Sequence, residues 1–108
     1  MAERYEVVVT SRAEESLKQI VLYLNDNVSY ETAERVRMGL LDAIEKLARH
    51  PESNGILQEI SDHEVTYRRV IKWSYRIIYI IEEGAKIIFV LEIDHVRRNP
   101  KHLKEIFR

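Results

Sequence analysis

The 108-residue sequence predicts an α+β fold of order βααβββα: a helical hairpin packed on a small, mainly antiparallel four-stranded sheet, with a short C-terminal helix. Three observations carry this. Residues 11–48 hold two apolar stripes at three- and four-residue steps, separated by a short polar connection. Residues 66–94 hold three runs rich in Ile, Val, Tyr and Phe, broken only by short turns. One further strand-like run, Tyr5-Glu6-Val7-Val8-Val9, precedes the helices.

The elements follow in order. Residues 5–9 form a short strand that joins the sheet at an edge. Ser11 opens the first helix, with Glu14 three residues later in capping-box spacing. Ala13, Leu17, Ile20, Val21 and Leu24 form its apolar stripe, and Asn25-Asp26-Asn27 stops it. Ser29 caps the second helix, whose stripe is Ala33, Val36, Leu40, Leu41, Ile44, Leu47 and Ala48. His50-Pro51 ends it, because proline disfavours helical backbone in the residue before it. Residues 51–64 read as a polar loop around Asn54-Gly55. Strands over 66–72, 75–82 and 86–94 form a meander with turns at Trp73-Ser74 and Glu83-Gly84. The last two are apolar at nearly every position, as strands covered on both faces are. Asn99 caps a final helix with Pro100 at its first position, and Leu103, Ile106 and Phe107 supply its apolar contacts.

The length suits one domain, 1–108, with a single modest core. No apolar run approaches the ~20 residues that span a bilayer. The N-terminus has no signal-peptide pattern, so a cytoplasmic protein without membrane association is expected. There are no cysteines, and His50, His63, His95 and His102 lack metal-ligand spacing, so no metal or other cofactor is expected. Net charge is −1, yet it is unevenly spread. Residues 1–63 hold 7 Lys/Arg against 12 Asp/Glu, and residues 64–108 hold 10 against 6. A near-neutral whole argues against bulk electrostatic grip on nucleic acid, while the basic C-terminal half leaves room for a local anion-binding face.

That face is traceable. In the 75–94 hairpin the start of one strand lies beside the end of the other. Lys72, Trp73, Arg76, His95, Arg97 and Arg98 therefore gather at one end of the sheet, with Arg68 and Arg69 further along. Such a cluster repels itself unless an anion or carboxylate sits among the charges. Glu92 and Asp94 are internal candidates; a phosphate or an acidic partner protein is the external one. Register decides which groups join Arg76. A two-residue Glu83-Gly84 loop puts His95 and Arg97 on its face, and a three-residue loop puts Asp94 and Arg98 there.

At these residues the chain resembles the RelE/ParE superfamily, the toxins of bacterial type II toxin–antitoxin modules. The matching stretches are "TSRAEESLKQIVLYL", "KLARHPES", "YRRVIKWSYRIIYII" and "EIDHVRRNP", which together cover nearly the whole chain. The resemblance implies a compact fold of this kind and a cognate antitoxin protein as partner. It also implies one of two activities. RelE-like members are ribosome-dependent mRNA endoribonucleases. In that reading Arg76 matches the strand arginine that contacts the scissile phosphate, Arg97 or Arg98 is the second arginine, and His95 is the acid. ParE-like members poison DNA gyrase instead; few of their functional residues can be carried over, and the basic residues traced above supply the partner-binding candidates Arg69, Lys72, Trp73, Arg97 and Arg98. The C-terminal tyrosine or His-Tyr pair common in the nucleases is missing here, where the last helix offers His102 and Phe107, and the charge is not strongly basic. The ParE-like activity is favoured; the alternatives are the endoribonuclease and a non-toxic antitoxin-binding protein of the same fold.

Overall fold

Residues 4–106 are described by a computed structural model. Its elements are β1 (Glu6–Val9), α1 (Ser11–Asn27), α2 (Tyr30–Lys46), β2 (Arg68–Lys72), β3 (Tyr75–Glu82), β4 (Ile87–His95), a 3-10 turn (Pro100–His102) and α3 (Leu103–Ile106). The strand order is β1-β4-β3-β2, with β1 and β2 at the edges. The expected α+β order is present. β1 is parallel to β4 and the other pairs are antiparallel.

Local chemistry explains the element ends, with three corrections. The cap of α1 is Thr10 rather than Ser11. The Thr10 amide and hydroxyl both donate to the Val90 carbonyl, at 3.1 and 2.8 Å, so pairing with β4 holds Thr10 in extended backbone and the helix starts after it. The same hydroxyl accepts from Ala13 N at 3.2 Å. Ser29 caps α2 as its sequence implies, accepting from Thr32 N at 3.0 Å. That helix ends at Lys46, not His50, because residues 47–49 tighten into three-residue turns that still bury Leu47 and Ala48. The β3–β4 loop takes four residues, 83–86, with Lys86 at φ 56° closing it through its amide on the Glu83 carbonyl.

The main core lies between the hairpin and one sheet face. Ala13, Leu24, Val36, Leu40, Ile44 and Leu47 pack there against Ile77, Tyr79, Ile88, Val90 and Ile93. Leu41, expected in the stripe, is exposed instead. The opposite sheet face is covered too. Residues 51–64, which read as polar, deliver Leu57 and Ile60 to a second cluster with Tyr67, Ile78 and Leu103. Leu103 is thus a core contact as expected, while the side chains of Ile106 and Phe107 lie outside the described residues.

Tyr79 joins the long loop to the sheet. It is fully buried, its hydroxyl donates to the Pro51 carbonyl and accepts from Asn54 Nδ2 at 3.2 Å. Burial pushes its phenol above the ordinary value, so it stays protonated and able to donate. Tyr79→Phe leaves the buried Pro51 carbonyl without this donor. We expect a loss of ~1–3 kcal/mol of unfolding free energy in urea titration, with the loop 51–56 losing protection first.

Candidate functional site

Two turns meet at one end of the sheet. Lys72 pairs with Tyr75, and Tyr75 with His95, in one row across three strands. The next row is Ile71, Arg76 and Asp94. Beyond His95 the chain turns through residues 95–98, closed by Arg98 N on the His95 carbonyl at 3.0 Å. Val96 N donates to the Ser74 carbonyl at 2.9 Å, which ties this turn to the Trp73-Ser74 turn. The expected gathering of Lys72, Trp73, Arg76, His95, Arg97 and Arg98 is therefore present. Arg69 is not part of it. It lies three residues along β2, opposite Ile78, with its guanidinium packed over Gly55.

The face of Arg76 follows from the register. A four-residue loop has the parity of a two-residue one, and alone it would place His95 and Arg97 on the face of Arg76. A β-bulge between Ile78 and Tyr79 changes this: Tyr79 pairs with Val90 and Ile78 with Glu92, leaving Leu91 as the extra residue. Arg76 then falls opposite Asp94. Its Nε donates to Asp94 Oδ1 at 2.9 Å and its Nη2 to Oδ2 at 2.7 Å. The same Nη2 donates to the Arg98 carbonyl at 3.0 Å. Both side chains are almost wholly buried, at 6 and 2 % exposure. A buried charge is tolerated only when paired in this way.

The remaining groups face water. His95, Val96, Arg97, Arg98 and Asn99 are all exposed. The His95 ring meets Tyr75 edge-on at 5.9 Å, and its Nδ1 accepts from Arg97 N at 3.1 Å. Neither the Arg97 nor the Arg98 guanidinium has a partner among the described residues. Lys72 Nζ lies 4.7 Å from the centroid of the half-exposed Trp73 ring, a cation–π distance. Trp73 has φ 54°, at the first central position of a two-residue hairpin turn, where glycine is the usual occupant. The outer edge of its ring comes so close to α2 that a Cβ at Gly39 would stand 2.2 Å from it. The sequence gives no sign of the Gly39 contact, since glycine in mid-helix carries no packing pattern.

The second acid that the sequence offered as an internal partner for the basic cluster, Glu92, is engaged elsewhere. Glu92 stands between Leu91 and Ile93 in an apolar run and is 1 % exposed. Arg12 Nε donates to its Oε2 at 3.1 Å, Ser16 donates to its Oε1, and Ile93 N donates to the same Oε1 at 3.0 Å. Glu92 thus ties the first turns of α1 to β4. A groove runs between the end of α2 and β2, lined by Ala43, Lys46, His50, Val70 and Lys72 among others. Among the described residues no cluster of His, Asp and Glu suits a metal ion, and no helix is long and apolar enough to cross a membrane.

Comparisons with known proteins give a family and a fold. The family described as ParE toxin of type II toxin–antitoxin system, parDE, matches residues 7–100. No curated protein matches the sequence. Among solved structures, the chain resembles one from the P. aeruginosa chromosomal ParDE system at 16% identity and TM-score 0.67, covering 85% of this chain and 96% of that one. It also resembles one from the Mycobacterium tuberculosis RelBE2 toxin–antitoxin complex at 18% identity and TM-score 0.65, covering 86% and 92%. A mutant E. coli RelE in the free state aligns over 100% of this chain and 98% of its own, at 17% identity and TM-score 0.62. At these identities the structural likeness speaks for the fold.

The Trp73–Gly39 contact is testable by itself. Gly39→Ala must push the indole off α2, and Trp73 is the single tryptophan of the chain, so its emission should shift to the red. Alanine in a helix gains about 1 kcal/mol over glycine, which offsets the lost contact, so the melting temperature should move little. Unchanged emission would mean that the ring does not rest there.

Proposed function

The chain belongs to the ParE toxin family of type II toxin–antitoxin systems, and on that premise we propose that it is a ParE-like growth inhibitor that acts on DNA gyrase and is neutralised by a cognate antitoxin protein. The observation that carries the choice of target is the state of Arg76. A nuclease must stabilise developing charge on a phosphate with donors aimed at it. Here Arg76 gives Nε and Nη2 to Asp94 and to the Arg98 carbonyl, and it is buried. What the end of the sheet offers to a partner is Trp73, Lys72, Arg97 and Arg98. Aromatic and arginine side chains are the types that dominate binding energy at protein–protein contacts. This favours occupation of a protein surface over RNA cleavage.

The antitoxin would dock along the helical hairpin. Leu22 and Tyr23 on α1 and Met38 and Leu41 on α2 are exposed, and an apolar depression lies at Leu17, Val21 and Leu22, edged by Glu14, Lys18 and Arg37. An amphipathic partner helix fits such a surface.

The decisive experiment assays the purified chain for gyrase supercoiling and DNA breakage, and in parallel for ribosome-dependent mRNA cuts. Gyrase inhibition without mRNA cleavage is expected. Cleavage without gyrase inhibition would favour the RelE-like alternative, and neither activity would favour a non-toxic antitoxin-binding protein. Arg97→Glu combined with Arg98→Glu should weaken inhibition at least ~10-fold, because reversing two charges alters both steering and contact. Trp73→Gly separates folding from binding. Glycine relieves the left-handed backbone, so stability should stay within ~1 kcal/mol while inhibition falls.

A further inference from the structure

We infer that Arg76 and Asp94 are positioning residues: a buried clasp that holds the exposed turn 95–98, and with it Arg97 and Arg98, at a fixed place beside Lys72 and Trp73. Only the consequence for potency rests on the gyrase reading; the clasp itself stands on geometry.

The turn has little else to hold it. Residues 95–99 are all exposed, so their side chains add little apolar packing beyond the His95 ring edge on Tyr75. Among the described residues, four polar contacts outside the strand ladder fix its backbone. Val96 N reaches the Ser74 carbonyl, Arg98 N the His95 carbonyl and Arg97 N the His95 ring. All three donors lie in the exposed turn itself. The fourth comes from the buried Arg76, whose Nη2 meets the Arg98 carbonyl at 3.0 Å. It is charge-assisted, and such bonds are roughly twice as strong as neutral ones. Asp94 aims that nitrogen. By taking Nε and Nη2 in a planar, two-bond grip it fixes the guanidinium plane, and the remaining hydrogen on Nη2 then points at one place.

The anchor is rigid on both sides. Arg76 stands in β3 between Tyr75 and Ile77, and Asp94 in β4 directly opposite, so the backbones that carry the clasp are paired to each other. Downstream, Pro100 is buried and Leu103 sits in the second apolar cluster, so the turn is stretched between two fixed points. Arginine side chains are long and rotamer-rich, and ordering them on binding opposes affinity. A fixed backbone is the part of that ordering the free protein can complete beforehand. Arg76 therefore acts through Arg97 and Arg98 and does not itself touch a target.

The geometry also says which substitutions separate the roles. Lysine at 76 keeps a positive charge against Asp94, so the acid is not left unpaired. Its single ammonium lacks the fork that grips two carboxylate oxygens and a carbonyl at once. Asp94→Asn keeps the shape and one acceptor but lets the guanidinium plane turn.

The test is amide hydrogen exchange followed by NMR on the full chain with no target present, alongside gyrase inhibition and antitoxin affinity. In folded Arg76→Lys and Asp94→Asn proteins, the Val96 and Arg98 amides should exchange at least ~10-fold faster, while the amides of the β3–β4 ladder keep their protection. Gyrase inhibition should fall at least ~5-fold, with antitoxin affinity on the hairpin unchanged. A general loss of stability would move both readouts together. Unchanged exchange at Val96 and Arg98 in either folded variant overturns the clasp. Should neither variant fold, the unaltered protein decides: the Arg76 Nε–H and the Val96 and Arg98 amides should open together as urea is raised. Free exchange of the two amides while Arg76 Nε–H stays protected overturns the inference. If the variants loosen the turn but the parent never inhibits gyrase, the clasp stands and the gyrase reading falls.

Discussion

Two carboxylates buried in one strand set much of this structure. Glu92 and Asp94 stand in β4 with only Ile93 between them, and both are almost fully removed from water. Neither position is tolerable for an unpaired charge, since removing one partner of a buried pair typically costs 3–5 kcal/mol. Each is met from a different direction. Arg12 and Ser16 bring the start of α1 to Glu92, and Arg76 brings β3 into a single register against Asp94. The bulge at Leu91 makes both possible in one strand, because it moves β4 by one residue between the apolar half of the hairpin and its charged end. A sheet without the bulge would set Arg76 opposite Ile93, leaving Asp94 and Arg76 on opposite faces.

Charge is sorted along the sheet by the same pairing. At one end Arg97 and Arg98 stand in water beside the half-buried Lys72, with the acid of that end consumed inside by Arg76. At the other end Glu82 and Glu83 are exposed, and Glu83 accepts from the Tyr5 hydroxyl at 3.0 Å. A nearly neutral protein thus presents a basic end, which is the arrangement that gives local steering without general affinity for nucleic acid. The Trp73 turn is attached to that end by the Ser74 carbonyl, and it is held in left-handed backbone by tertiary contacts that offset a cost of about 1–2 kcal/mol. Strain of this kind is retained where the surrounding structure holds it, here the face of α2 at Gly39.

The two sheet faces are built by different means, and this bears on how the site is carried. The hairpin face is ordinary amphipathic packing, with stripes facing Ile77, Tyr79, Ile88 and Val90. The other face is covered by a loop and a short C-terminal segment, through Leu57, Ile60 and Leu103. Arg76 alternates with Ile78 and Ile80 and so belongs to this second face. The basic turn therefore depends on the irregular half of the molecule for its placement, while the helices remain available to a partner.

The element order, the two helix stripes, the meander, the caps at Ser29 and Asn99 and the gathering of basic residues were all determined by the sequence itself. Each is encoded locally, by apolar period, by cap chemistry, or by the short turns that force neighbouring strands together. The superfamily was legible in the same residues, from the Tyr75–Tyr79 stretch and the His95–Pro100 stretch taken together. Tertiary structure alone decided the rest. The Thr10 cap depends on a bond to Val90, eighty residues away. The burial of Leu57 and Ile60 in a polar loop has no period to announce it. Whether Arg76 faces Asp94 or the side of His95 and Arg97 turned on one extra residue in β4. Side chains in a strand alternate with a period of two, so a single unpaired residue exchanges the faces, and nothing in the local sequence marks where the sheet will place it.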